Sequence, residues 1–366
     1  MIKVGVLYGG RSGEHDVSRC SAASVVRFLD KSKFDVTAIG IDHNGRWYVQ
    51  DTPEIIDDKD FGSVMNLNRE GEWFVNHYER DGKLYLFNSS TGREVYVDVV
   101  FPVVHGTFCE DGTLQGLLEL AMVPYVGADV IGSSIGMDKD VTKRLLKEAG
   151  VPIVEYIKIV KHEWDEEKSK YIKRIENELD YPIFVKPCNA GSSVGVSKVK
   201  NTSMLADAVE EAFQWDNKLL VERGINAREI EFSILGNEKP EASDPGEIRP
   251  KHEFYSYEAK YIDSDGAELI IPADISPELA DRMKKIAVNA YLALCCSGMA
   301  RVDFLLDRDS EDFYLNEINT LPGFTSISMY PKLWERAGIK YSSLLENLIE
   351  LALKRRNNKN RLRTKF

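Results

Sequence analysis

Apolar and polar positions follow two rhythms along this chain, and their order outlines the fold. IKVGVLY is apolar except for one lysine and a glycine, as a strand buried on both faces should be. HDVSRCSAASVVRFL then repeats apolar residues at helical spacing, and FDVTAIGID returns to a buried strand. That β-α-β opening predicts a sheet with helical crossovers. From 44 to 97 the pattern breaks into short stretches rich in Trp and Tyr around HNGRW, REGEW and RDGKLYLF. These predict short strands or hairpins inserted before VDVVFPVVHG, another buried strand, and the helix DGTLQGLLELAM.

Beyond Gly127 the character changes. MDKDVTKRLLKEAG has a candidate N-cap at Asp138 and a stop at Gly150 followed by Pro152, so a compact helix is expected. Strand VPIVEYIKIV, helix WDEEKSKYIKRIENEL, strands YPIFVKPC and SVGVSKVK, helix SMLADAVEEAF and strand KLLVERG make a small α+β module. A third unit starts near Glu222 with EIEFSILG. It continues through the long helix SPELADRMKKIAVNAYLALCC and strands GMARVDFLLD and DFYLNEIN to helices ending near Leu353. The division expected is 1–127, 128–221 and 222–366, mixing α/β and α+β character. The basic tail KRRNNKNRLRTKF has only Leu362 and Phe366 as apolar residues and reads as a solvated, frayed end.

Composition narrows the class. With 366 residues the chain exceeds one average core, which favours several domains and a cleft between them. A formal charge of -12 opposes nucleic acid and anionic lipid as partners while leaving room for a local phosphate pocket. Five dispersed cysteines without C-x-x-C spacing read as reduced thiols of a cytoplasmic protein. No apolar run approaches the roughly 18 residues of a membrane span, and the start is too brief for a signal peptide.

Candidate chemistry concentrates where strands end. In YLNEINTLPGFTSISM, strict alternation puts Phe313, Leu315, Glu317 and Asn319 on one face and Tyr314, Asn316 and Ile318 on the other. RDSED is short enough to pair this strand with the one carrying Arg301 and Asp303. Asp303, Glu317 and Asn319 together would offer three oxygen donors to a hard cation such as Mg²⁺, although the same residues could form surface ion pairs. Lys186 ends an apolar strand ahead of the Gly-Ser-Ser-x-Gly loop containing Ser192 and Ser193. This suits phosphate binding or an ordinary turn, and it is not a P-loop. Lys139, at a helix start, could join it or be a surface residue. Glu222 and Glu229 could accept from ribose hydroxyls or supply hinge polarity. GGRSGEHDVS departs from the dinucleotide spacing, so a nicotinamide oxidoreductase is disfavoured; Glu14 and Ser18 there either cap a helix or, for Glu14, meet a substrate ammonium. His105 stands at the lip of a strand.

Taken together and in order, GGRSGEHDVS, HGTFCEDGTLQG, GMDKDVTKRLL, FVKPCNAGSSVGVSKV, INAREIE, YEAKY, RVDFLL and EINTLPGFTSISMYP resemble the D-alanine–D-alanine ligases of the ATP-grasp superfamily over nearly the whole chain. The resemblance implies an ATP-grasp fold and a reaction in which ATP phosphorylates one D-alanine and the amine of a second displaces phosphate, for cell-wall precursor synthesis. It implies that Asp303, Glu317 and Asn319 hold two Mg²⁺ ions, with Mn²⁺ as an alternative. Lys139, Lys186, Ser193 and Lys260 would contact phosphates, and Glu222 and Glu229 the ribose and base side. Arg301 and the Gly323 amide would stabilise an oxyanion. Glu14 would hold the first substrate's ammonium with His105 near its carboxylate, and Ser328 and the Met329 backbone the second substrate's carboxylate. Ser192 and Tyr261 would complete a triad with Glu14 beneath a lid spanning about 247 to 270, and Tyr261 would favour D-alanine over D-lactate as second substrate. A homodimer is implied. Cys109 departs from the family's HGxxGEDG pattern, where glycine is usual, and Cys188 stands where a small residue commonly follows Lys-Pro. Rival readings are a different ATP-dependent carboxylate–amine ligase and a non-catalytic ATP-binding protein.

Overall fold

The computed structural model describes residues 1–76, 82–250 and 266–363. Its first sheet has seven strands in the order Glu94–Val97, Leu84–Asn88, Trp73–Asn76, Trp47–Val49, Phe34–Ile41, Ile2–Gly9, Val99–Pro102. Ile2–Gly9 pairs in parallel with both Phe34–Ile41 and Val99–Pro102, with helix His15–Phe28 as the first crossover. The Trp- and Tyr-rich segment extends one edge by antiparallel strands and adds the separate hairpin Ile55–Asp58/Gly62–Met65.

Helix Val130–Met137 escapes the periodicity reading, because VIGSSIGM lacks an amphipathic stripe. Asp129 starts it by accepting from the amides of Ile131 and Gly132. Helix Lys139–Glu148 follows, capped by Asp138 through Val141 N–H as its sequence predicts. Next comes an antiparallel sheet ordered Tyr156–Val160, Lys218–Arg223, Ile183–Pro187, Ser197–Val199. Helices Lys161–Glu178 and Leu205–Ala212 cover it over a core that includes Trp164, Ile175 and Val209.

The last sheet runs Ala267–Ile270, Gly246–Pro250, Ala227–Gly236, Gly298–Asp307, Phe313–Asn319. Helices Lys139–Glu148 and Pro277–Ala293 close one face around Leu146, Phe232, Met283, Tyr291, Val302 and Phe304. Helix Met329–Arg336 packs on part of the sheet's other face through Met329 and Leu333, against Ile248 and Gly246. Among the described residues no helix is long and apolar enough to cross a membrane.

The C-terminal helix Tyr341–Lys359 corrects the expectation of a frayed basic end. Leu344, Leu345, Leu348 and Ile349 join the first sheet's core. Arg355 donates to the carbonyls of Tyr125 (2.8 Å) and Gly127 and to Ser297 Oγ (2.7 Å), and Lys359 to Glu119 at 2.7 Å. The basic residues satisfy carbonyls where the first domain ends, a use that their local composition could not reveal.

Candidate active site

Strands Gly298–Asp307 and Phe313–Asn319 form the antiparallel pair the short link predicts, with Arg301 opposite Asn319 and Asp303 opposite Glu317. Strict alternation does not hold. The register slips between Asp303 and Phe304, so Phe304 faces Leu315 and Asn316 is the extra residue of a β-bulge. Phe313 and Leu315 therefore share the core with Ile318, while Glu317 and Asn319 lie opposite them on the half-buried face. The expectation that Phe313, Leu315, Glu317 and Asn319 line one side is thus corrected. The bulge lets apolar residues enter the core without dragging the carboxylate after them.

Arg301 grips Asp303 in bidentate fashion, Nε to Oδ1 at 2.8 Å and Nη2 to Oδ2 at 2.7 Å, and its Nε lies 3.1 Å from Glu231 Oε2. Burial opposes its charge, but Asp303 and then Glu231 outweigh that and hold the guanidinium firmly protonated. On strand Ala227–Gly236, Ile230 and Phe232 enter the core, so Glu229 and Glu231 face the other way by alternation.

The first domain brings its own carboxylates. Glu14 occupies the N-cap position of helix His15–Phe28 without capping it; its Oε1 instead accepts from Ser192 Oγ at 2.5 Å, across 178 residues of chain. Ser18 bridges strand ends, accepting from Gly9 N–H and donating to the Val103 carbonyl. Glycine is favoured at Gly106, where φ is +79° and a Cβ would stand 3.2 Å from Glu14 Oε2; a Cβ at Gly191 would only touch that oxygen, at 3.4 Å. Ser192 and Ser193 adopt φ of +48° and +60°, conformations costly for residues with a Cβ and typical of functional loops.

His105 Nδ1 donates to the Leu321 carbonyl at 3.0 Å, and its Nε2 is buried without a partner among the described residues. Burial lowers its pKa, against the opposing influence of Glu14. Beside it Glu110, absent from the sequence-based candidates, accepts from Gly106 N–H at 2.8 Å. Burial, then the charge of Glu14 and later that of Glu317, push Glu110 up to about 8. These mutual influences bring Glu14, His105, Glu110, Arg301 and Glu317 near one another.

The phosphate-binding candidates adjoin it. Lys186 Nζ lies 2.6 Å from Glu222 Oε2 and 3.3 Å from Asn316 Oδ1. Lys143, also unforeseen, lies 3.0 Å from Glu222 Oε1. Both oxygens of Glu222 are thus engaged by lysines, with Glu222 and Lys143 buried and Lys186 partly open. Lys139 reaches the Ala190 carbonyl of the serine loop at 2.6 Å. Cys109 is buried with its Sγ against Gly10, filling space on the inner side of the His105 loop, and Cys188 is buried as well.

Gly323 faces Ser328: a Cβ there would lie 2.9 Å from Ser328 Oγ, which is itself bonded to Thr325 N–H and its hydroxyl. The Met329 side chain is core, leaving its backbone for any ligand. Lys260, Tyr261 and most of the expected lid lie outside the described residues. Of the residues missed, Glu231 was signalled by its i, i+2 spacing from Glu229. Lys143 lies four residues after Lys139 on one helix face, and nothing local marked Glu110.

Two family models match: D-ala D-ala ligase N-terminus over residues 3–128 and D-ala D-ala ligase C-terminus over residues 145–350. The chain belongs to the D-alanine–D-alanine ligase family. It is 48% identical to the D-alanine–D-alanine ligase of Clostridium acetobutylicum over 97% of this chain and 99% of that one. To ligase A of Escherichia coli K12 it is 47% identical over 99% of each. Among solved structures it matches the D-alanine–D-alanine ligase from Coxiella burnetii (TM-score 0.79, 35% identity, 98% and 96% coverage). It also matches the VanG D-Ala:D-Ser ligase from Enterococcus faecalis (TM-score 0.80, 33%, 96% and 99%). The ATP-grasp fold expected from the sequence is therefore borne out.

The ligase's donor set fits a divalent cation. Asp303 and Glu317 are cross-strand neighbours with the Asn319 amide two residues on, all hard oxygen ligands. The carboxylates crowding Glu110 supply negative charge that a cation would offset. Among the described residues no three His, Cys, Asp or Glu side chains converge as a metal cage. Two carboxylates and an amide instead suit an ion that shares its shell with phosphate.

Proposed function

We propose that this ATP-dependent ligase joins two D-alanine molecules into D-alanyl-D-alanine for peptidoglycan synthesis. The observation that carries this is the convergence of the Glu14–Ser192 pair, the unpartnered His105 Nε2 and the Arg301–Asp303 and Glu317–Asn319 pairs on one cleft. Glu14 receives the ammonium of the first D-alanine, and His105 Nε2, once protonated, meets its carboxylate. Lys139, Lys186 and Ser193 hold the phosphates of ATP, with Lys260 as a further contact and Glu229 toward the ribose. Glu222 acts through the lysines it holds. When bound, two divalent cations at Asp303, Glu317 and Asn319, Mg²⁺ or Mn²⁺, would neutralise phosphate charge.

An oxygen of the first carboxylate attacks the terminal phosphorus of ATP, the bond from that phosphorus to the bridging oxygen breaks, and an acyl phosphate and ADP result. The free amine of the second D-alanine, held by Ser328 and the Met329 backbone, attacks that carbonyl. The C–N bond forms, negative charge collects on the carbonyl oxygen, and phosphate departs with the C–O bonding pair, taking up the proton that the attacking nitrogen loses. Arg301 and the Gly323 N–H are the donors for that oxyanion. Arg301 is suited to this because Asp303 and Glu231 fix its plane in advance. Tyr261, closing on Ser192, completes the lid that protects the acyl phosphate from water. The unit acts as a homodimer.

The test is phosphate release with ATP and Mg²⁺ in the presence of D-alanine, D-serine or D-lactate, with products identified by mass. Release with D-alanine alone and dipeptide as product is expected. A preference for mixed D-Ala-D-Ser product would assign the protein instead to the chemistry named for VanG.

A further inference from the structure

Lys143 is a buried lysine: burial lowers its pKa, and the charge of Glu222 opposes that. It lies on helix Lys139–Glu148, its side chain is 2% exposed, and its Nζ makes no well-directed hydrogen bond among the described residues. What holds it is charge: Glu222 Oε1 at 3.0 Å, with the Glu222 side chain itself 3% exposed. The other oxygen of Glu222 takes Lys186 Nζ at 2.6 Å, and Lys186 is the open member of the three at 16%. A buried ammonium is costly unless its surroundings require it.

The arithmetic of charge suggests the requirement. With Glu222 alone, Lys186 would be one half of a neutral pair, held back from any anion. With Lys143 included, two ammonium groups share one carboxylate, and the trio keeps one net positive charge. Only Lys186 reaches the cleft, so that charge is presented there. Glu222 stays ionised throughout: burial would raise its pKa, but Lys143 first and Lys186 next hold it down to about 2.

We propose that Lys143 is a positioning residue for the nucleotide, which by saturating Glu222 from inside leaves the charge of Lys186 available to phosphate. It touches no ligand itself. The inference rests on the reading of Lys186 as a phosphate contact, so the experiment includes Lys186→Met as a control on that reading.

KM for ATP and for D-alanine, and the Kd of ADP without D-alanine, would be measured for the purified enzyme and for Lys143→Met, Lys143→Gln and Lys143→Arg. The neutral variants are expected to raise the ATP KM and ADP Kd about tenfold, the order of one lost charge-assisted contact. D-alanine KM should move less than about twofold, and Lys143→Arg should recover most of the loss. If Lys186→Met leaves ATP affinity intact, the phosphate reading of Lys186 falls. If Lys186→Met weakens ATP but folded Lys143→Met does not, the inference about Lys143 falls alone. Failure of both neutral variants to fold, beside a normal Lys143→Arg, would assign Lys143 to stability and overturn the proposal equally.

Discussion

Glu110 makes a sharp prediction about pH. In the ligand-free enzyme it is partly buried, and that loss of solvent, then the charge of Glu14 and later that of Glu317, raise it from 4.5 to about 8. In the unfolded chain it ionises near its ordinary value. Between those values the folded state binds more protons than the unfolded one, so this group makes stability fall as pH rises, and the fall ends above about 8. A rise of that size has a ceiling of about 5 kcal/mol, and because water can enter and carboxylates can move apart, a loss of roughly 2–3 kcal/mol is the working expectation. Glu110→Gln carries no charge in either state and keeps an oxygen for Gly106 N–H. Its unfolding free energy should match the parent near pH 5 and exceed it by roughly 2–3 kcal/mol near pH 8.5. Urea denaturation of both proteins at several pH values measures this. Parallel pH profiles would refute the reasoning.

The same crowding bears on function. A substrate ammonium at Glu14 and cations at Glu317 would remove the two charges that oppose ionisation of Glu110. Binding D-alanine with Mg²⁺ and ADP near pH 7 should therefore release protons, seen as a calorimetric heat that varies with the buffer's ionisation enthalpy. Glu110→Gln should lose most of that dependence.

Ser192→Ala removes the 2.5 Å bond to Glu14, a charge-assisted contact of about 1.5–3 kcal/mol; the KM for the first D-alanine should rise about tenfold or more with little change in melting temperature. A change of equal size in ATP KM would tell against so local a role. Asp303→Asn strips the buried Arg301 of its bidentate partner, and should cost roughly 3 kcal/mol in denaturation and at least about 100-fold in kcat. Unaltered Mg²⁺ dependence in that variant would count against Asp303 as a ligand. Gly9→Ala would put a Cβ 2.2 Å from the Ile41 carbonyl at φ +86°, so a loss of at least about 2 kcal/mol is expected by thermal unfolding. An unchanged Tm would mean the first strand end can move.

Much of this was legible in one sequence because local signals agreed with the fold. The β-α-β opening, the Asp138 cap and the paired strands around RDSED appear where apolar spacing and turn residues put them. Helix Val130–Met137 was not legible, since its glycines and branched residues give no stripe and its start depends on Asp129. Arg355 and Lys359 were misread because the groups they satisfy lie more than 200 residues away in sequence. Candidate residues surfaced when they ended strands or followed glycines. Lys143, Glu110 and Glu231 did not, because each acts on another charged side chain brought near by tertiary folding.

The bulge at Asn316 shows why correct residues can be reached by an incorrect path. Alternation put Glu317 and Asn319 on one side and was right about that pair; it also put Phe313 and Leu315 there, and that was wrong. A regular strand would have had to bury Glu317 with the phenylalanine or expose both. Inserting one residue reverses the phase, so the same seven-residue strand serves a hydrophobic core at its beginning and a charged cleft at its end. Asn316, the residue that makes the reversal, is also a partner of Lys186. Deleting it should leave Leu315, Glu317 and Ile318 in regular alternation, with Glu317 still on the cleft face, while removing the Asn316 acceptor from Lys186. Replacing it by alanine keeps the bulge and removes the same acceptor. Deletion and replacement should therefore be similarly mild in urea denaturation; a deletion costing several kcal/mol more, as expected for turning Glu317 into the core, would show that the pairing does not follow this alternation, and the placement of the carboxylates would need another cause.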